Sequence, residues 1–182
     1  MRLIRIKDNF VIKLVIPNKK LLLSCFYLGF IPFAPGTWGS LFSFLWSIIF
    51  SHTWFFGWFF SWVFFFVVFL VSWLMIHQFL KSSHPIEIDP SWIVIDEFLG
   101  MMLCLLLMKT FAVHWNFVSL SMAFLLFRIL DIVKPFPICT IDRFLLSHQK
   151  TQALGVIFDD IMAGLMAFIM VYFIAPPVIY FS

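Results

Sequence analysis

The feature that most constrains this chain is the run from Trp54 to Leu80, 27 residues without an Asp, Glu, Lys or Arg. As a helix rising 1.5 Å per residue it extends about 40 Å, enough to cross a hydrocarbon core of roughly 30 Å with some tilt. Only helices or closed barrels satisfy their backbone polar groups in lipid, so such a run commits the chain to helical structure. The composition agrees: 63% of residues are hydrophobic, 21% aromatic and 12% charged, with a mean hydropathy of +1.06. A soluble domain carries roughly twice that charge, about 25%. In 182 residues the expected architecture is all-α, a polytopic membrane helical bundle of about four to five short spans with a polar site at the cytoplasmic helix ends.

Residues 1–20 form a basic cytoplasmic arm, with Arg2, Arg5, Lys7, Lys13, Lys19 and Lys20 against Asp8 alone. Residues 21–182 are read as a single membrane-embedded domain. A signal peptide is the competing reading of the basic start, but no small-x-small cleavage pattern follows Leu21 to Phe33. That stretch is too short to span, and a partly inserted or re-entrant segment is expected. Cys25, Cys104 and Cys139 are odd in number and widely spaced, which suggests small apolar fillers and neither a disulfide framework nor a zinc site.

The turn Ala34-Pro35-Gly36-Thr37 precedes an apolar run from Trp38 to Phe50, and Ser51-His52-Thr53 separates it from the long run, giving a helical hairpin. Between Ile93 and Phe127 the sequence allows one long span or two short helices turning at Lys109 to Asn116. Charge decides between them. With the turn, the basic arm, Lys81, Arg128, Lys134, Arg143 and Lys150 place eleven of the twelve basic residues on the cytoplasmic side, against Lys109 outside; the positive-inside bias favours this arrangement. A last apolar run, Ile161 to Phe181, can cross. All nine acidic residues then share the cytoplasmic face.

Four clusters stand at helix ends on that face: PFAPGTWGS at 32–40, IDEFLGM at 95–101, FRILDIVKPFP at 127–137 and FDDIMAG at 158–164. Carboxylates at membrane depth cost on the order of 3 kcal/mol even on insertion scales, so they pair, bind metal or sit at the interface. The bland reading makes Asp96 and Asp159 N-caps and leaves Glu97 and Asp160 to the helix dipole. Two acidic pairs opposite a basic helix end instead suggest a metal site of Asp96, Glu97, Asp159 and Asp160. Oxygen donors without His or Cys select a hard cation, and Mg²⁺ is the expected one; the histidines lack ligand spacing. Gly100 and Gly164, each four residues after an acid, read first as helix-packing positions.

Arg128 and Asp131 lie on one helical face, and Pro135 ends that helix and turns Lys134 out of it. They form either an anchoring ion pair or, with Lys134, a cradle for substrate phosphate in which Asp131 orients Arg128. The Pro35-Gly36-Thr37 turn precedes the helical run from Trp38; Thr37 is either its N-cap or, with the Gly36 and neighbouring backbone N–H groups, part of an anion site. No Cys-x₅-Arg or Asp-x-Asp nucleophile motif is present. The candidate catalytic set is therefore Asp96, Glu97, Asp131, Asp159 and Asp160, acting through metal-activated water.

At these four clusters the chain resembles the phosphatidylglycerophosphatase A family, through Pro35-Gly36-Thr37, Asp96-Glu97-Phe98 with Gly100, Phe127-Arg128 with Asp131, Lys134-Pro135 and Pro137, and Asp159-Asp160 with Ala163-Gly164. The resemblance implies a Mg²⁺-dependent lipid phosphatase of the bacterial inner membrane that converts phosphatidylglycerophosphate to phosphatidylglycerol. Its partners would be the phospholipid substrate and the membrane, with no nucleic acid. The basic arm and the Phe-rich long span look peculiar to this chain. Two rival readings stay open on residues alone. One is a transporter or channel with an acidic ion site, although only Lys109 and His114 leave the cytoplasmic side; the other is a CDP-alcohol phosphotransferase-like enzyme, although its acidic signature beginning Asp-Gly is absent.

Overall fold

A computed structural model describes residues 19–51, 55–83, 90–148 and 151–175, with backbone alone at 51, 55, 56, 82 and 83. The arm up to Asn18, the acids Glu87 and Asp89, and Pro176-Pro177 lie outside the described residues. Among those described, all regular structure is helical: α1 Lys19–Leu23, α2 Pro35–Ser51, α3 Phe55–Ser83, α4 Ile95–Thr110, α5 Phe117–Val133, α6 Ile138–Leu146 and α7 Gln152–Ile174, with a 3₁₀ turn at Leu28–Phe30.

The centre of the bundle is α4, which touches α2, α3, α5 and α7. Eleven of its 16 residues are buried, as expected of a helix apolar on every side. Two clusters of buried side chains meet on it. Leu99, Met102 and Leu106 pack with Met75 and Ile76 of α3 and Val156 and Ile157 of α7. Met101, Cys104 and Met108 pack with Ala123 and Phe127 of α5 and Ala163 and Ala167 of α7. The long run becomes α3 on the outside, with Phe60 62% and Phe66 61% exposed. That outward aromatic surface suits lipid far better than water.

Among the described residues, two helical stretches are long and apolar enough to cross a membrane, Gly57–Lys81 and Gln152–Ile174. The helices α2, α4 and α5 have 17, 16 and 17 residues, only about 25 Å each at 1.5 Å per residue. The break expected at Lys109 to Asn116 is present. There, α4 closes with the Phe111 N–H on the Leu107 carbonyl at 2.9 Å, and Asn116 caps α5 by accepting from the Ser119 N–H at 2.8 Å. Trp58 of α3 donates its indole N–H to Thr110 at this end, whereas Phe79 of α3 meets Trp92, just before α4, at the other. The N-terminal ends of α2, α4 and α7 therefore gather with the C-terminal ends of α3 and α5.

The stretch Leu21 to Phe33, expected as a partly inserted or re-entrant segment, turns through Cys25, Phe26 and Tyr27, all in the left-handed region (φ 46, 59 and 68). The turn is tied down by Gly29 N–H to the Ser24 carbonyl and Val94 N–H to the Leu23 carbonyl, at 3.0 and 2.9 Å. A short amphipathic helix, α6, which the sequence reading lacks, packs on α7 with Ile138 fully buried and Phe144 65% exposed. The last helix begins at Gln152 and not near Ile161, because Ala153, Val156 and Ile157 already supply a buried helical face. Asp159 consequently lies two turns inside α7 and is not its N-cap.

Candidate active site

The crossing of α4 and α7 creates the site. Gly100 and Gly164 meet backbone to backbone: a Cβ on Gly164 would stand 2.1 Å from the Gly100 carbonyl oxygen. No side chain fits there, so both positions require glycine for close approach. One turn back from each glycine stand the acids, Asp96 and Glu97 on α4 and Asp160 on α7. Asp96 is the second residue of α4, with Val94 at the N-cap, and its Oδ1 accepts from the Glu97 N–H at 3.1 Å.

Asp96, Glu97 and Asp160 converge so that one oxygen from each lies within 4.8 Å of the others. Asp96 and Asp160 are only 3% and 4% exposed. The side chains of Asp131 and Asp160 also come within hydrogen-bonding reach of one another. Carboxylates packed this closely repel unless a proton or a cation lies between them. Glu97 Oε2 and Asp160 Oδ1 are buried without a hydrogen-bond partner among the described residues, a costly state for polar oxygens. The residues thus fit a metal: three converging carboxylates, Asp96 and Asp160 buried and Glu97 half-buried, form an all-oxygen donor set of the kind hard cations select. No described histidine joins the group.

Cationic groups border the cluster. Arg128 pairs with Asp131 at 2.5 Å, three residues along α5, and donates to Ser40 Oγ of α2 at 3.2 Å. Its Nε is buried and has no partner among the described residues. Ser40 in turn donates to the Gly36 carbonyl at 2.7 Å, tying Arg128 to the first turn of α2. Pro35, Gly36 and Thr37 form that first turn, with Pro at the position where its missing N–H costs nothing. Thr37 is therefore not an N-cap; it is half-buried in the turn, and its N–H donates to Ala34. Gly36 admits the site's groups: a Cβ there would lie 2.1 Å from Glu97 Oε1 and 3.3 Å from Arg128 Nη1.

Asp159 is directed elsewhere. Its Oδ2 accepts from the Lys134 ammonium, and its Oδ1 is buried without a partner among the described residues. Lys134 caps α5 in the left-handed region (φ 44, ψ 58) and reaches a second carboxylate, Asp142 of α6, at 3.6 Å. Burial alone would lower the proton affinity of Lys134, but Asp159, Asp142 and Asp160 outweigh it and hold the ammonium above the usual lysine range. Every candidate site residue is thus brought to one end of the bundle, with Asp96, Glu97 and Asp160 grouped so that they could hold a metal and Asp159 turned to Lys134. The sequence reading lacked Ser40 and Asp142 as partners. Ser40 lay within the Pro-Gly-Thr cluster and could have been noticed; Asp142 depends on α6.

Fold and site together define an all-helical membrane protein whose buried carboxylate centre, able to hold a metal ion, stands beside two cationic side chains. The phosphatidylglycerophosphatase A profile matches residues 21–175, and the chain belongs to that family. It is 32% identical over 144 residues to a provisionally named phosphatidylinositol-3-phosphatase of Bacteroides thetaiotaomicron, covering 79% of this chain and 84% of that one. Identity is 37% over 86 residues with phosphatidylglycerophosphatase A of Escherichia coli, covering 47% of this chain and 45% of the relative. With phosphatidylglycerophosphatase A of Haemophilus influenzae it is 34% over 84 residues, covering 46% of each. These last two alignments span less than half of the relatives' length. No solved structure matches the chain.

Proposed function

We propose that this protein is a phosphatidylglycerophosphatase, hydrolysing the terminal phosphomonoester of phosphatidylglycerophosphate to phosphatidylglycerol and inorganic phosphate. The observation that carries the reading is the convergence of Asp96, Glu97 and Asp160 beside Arg128 in a chain of this family. A divalent cation held there, with Mg²⁺ the expected ion, supplies polarisation of a phosphoryl oxygen and a more acidic water. Arg128 and Lys134 hold the phosphate, the first through its planar fork and the second as a point charge. Asp131 orients Arg128, Gly36 and Thr37 line the phosphate end from α2, and a carboxylate of the cluster takes the proton of the attacking water. Asp159 anchors Lys134 and adds its charge to the cluster.

The site belongs at the cytoplasmic face of the bacterial inner membrane, where the head group meets the helix ends and the acyl chains stay among the helices. On this reading α2, α4 and α5 cross as short spans around which the bilayer thins, beside α3 and α7, making five. Cysteine-accessibility labelling in a cysteine-free background tests it: Ser147→Cys should react from the cytoplasm only and Thr110→Cys from outside only, and labelling of both from one side refutes it.

The alignment with the Bacteroides relative, which spans most of both chains, favours a second head group as the alternative within the same chemistry. Phosphate release from phosphatidylglycerophosphate and from phosphatidylinositol 3-phosphate, with and without Mg²⁺, separates the two. Release from the first lipid is expected. Release from the inositol lipid alone reassigns the head group, and release from neither sinks the phosphatase reading.

A further inference from the structure

Lys134 is held in an unusual way. It ends α5 with φ 44, a region that side chains other than glycine rarely adopt, while its N–H still donates to the Leu130 carbonyl at 2.8 Å. That backbone turn sends the side chain between two helices. On α7 the ammonium meets Asp159; on α6 it meets Asp142 at 3.6 Å. Asp142 is 17% exposed at its side chain, whereas its neighbours Arg143 and Phe144 face outward. The acid is therefore on the face of α6 directed at the site.

An ammonium has three donor protons. Asp159 takes one, while Asp142 attracts the charge from 3.6 Å without a hydrogen bond, so donor capacity remains for an anion. Asp160 also attracts Lys134 from beyond Asp159. With carboxylates on the α7 side alone, the flexible lysine stem would carry the charge into the acidic cluster, neutralising it and abandoning the phosphate. Asp142 supplies the opposing pull from α6.

We propose that Asp142 is a positioning residue: from α6 it holds the Lys134 ammonium out of the carboxylate cluster and presents it to the substrate phosphate. The assignment rests on the reading of Lys134 as a phosphate-binding group.

The test compares wild type, Asp142→Asn, Asp142→Glu, Lys134→Ala and the Lys134→Ala/Asp142→Asn pair in detergent. Phosphate release from phosphatidylglycerophosphate is measured with Mg²⁺, and equilibrium Mn²⁺ binding is measured in parallel. Asp142→Asn is expected to raise KM on the order of tenfold with kcat changed far less, and Asp142→Glu to recover most of the loss. In the Lys134→Ala background the same change should add nothing. Unchanged KM in Asp142→Asn, or a full additional loss in the pair, overturns the proposal. Loss of Mn²⁺ binding in Asp142→Asn also overturns it, by making Asp142 a metal ligand. A readout without substrate guards against failure of the functional reading: acylation of Lys134 by an amine reagent, followed by mass spectrometry, should change severalfold in Asp142→Asn. Wild-type acylation in that variant refutes the proposal even if no lipid is hydrolysed; a change in acylation with an inactive wild type upholds the clamp and rejects the phosphatase.

Discussion

The carbonyl oxygen of Asp160 lies against Gly100, where a Cβ would stand only 2.4 Å from it. The separation of α4 and α7 is thus set by backbone contact within one turn of the carboxylates that the two helices contribute. Gly100→Ala must push the helices apart, and overpacking of this kind costs about 1–3 kcal/mol. We expect a lower melting temperature and weaker Mn²⁺ binding in the same variant. A melting temperature lowered with metal affinity intact would show that the crossing supports the bundle without setting the site.

Neutral amides at the cluster should separate its stability from its chemistry. Asp160→Asn removes a charge that faces Asp131 and Glu97, so the metal-free protein should melt at the wild-type temperature or above it. The rise in melting temperature that Mg²⁺ gives the wild type should vanish, because that rise is binding free energy. Turnover should fall at least about 100-fold. An undiminished Mg²⁺ effect in Asp160→Asn, Asp96→Asn and Glu97→Gln would remove the cluster from consideration as the metal site.

Arg128 has a buried Nε without a partner among the described residues, while its Nη1 serves both Ser40 and Asp131. A fork anchored at one nitrogen offers the rest of its edge to an anion. Arg128→Lys keeps the charge and loses the fork, and KM should rise about tenfold or more. Wild-type KM in this variant would reduce Arg128 to an ion-pair anchor for α5.

Thiol chemistry gives an independent check on the packing around Glu97. Burial, with a further contribution from the charge of Glu97, pushes the Cys25 thiol up to about 12. A raised value means less thiolate at any lower pH, so alkylation at about pH 8 should spare Cys25. Cys139 is only partly buried and should react first, while buried Cys104 stays intact. Peptide mapping after iodoacetamide reads the order; rapid loss of Cys25 in the folded protein would contradict its placement beneath α4.

Much of the arrangement was legible in the chain because charge is scarce in it. With so few acids, Asp96-Glu97 and Asp159-Asp160 stood out against apolar surroundings, and Pro135 marked the end of α5 beside Lys134. The break at Lys109 to Asn116 was readable from polar residues interrupting an apolar run. The division of labour between the two aspartates of α7 was not. Neighbouring positions on a helix point about 100° apart, and only the placement of α5 decides that Asp159 meets Lys134 while Asp160 meets α4. The helix α6 escaped because nine residues with one fully buried side chain leave no apolar run to detect. The start of α7 was misplaced because Gln152 and Thr151 resemble loop, although the helical face begins at Ala153.

The acids that meet at the α4–α7 crossing come from positions 96 and 160, far apart along the chain. A ribosome that has completed α4 has therefore delivered only half of the centre, two acids with no opposing helix. The other half arrives after α5 and α6 have been made, and it docks only when two glycines find each other. Catalytic competence is in this sense a late event in biogenesis. It depends on the last described helix reaching its seat, and a defect in that docking would yield an inserted but inert protein.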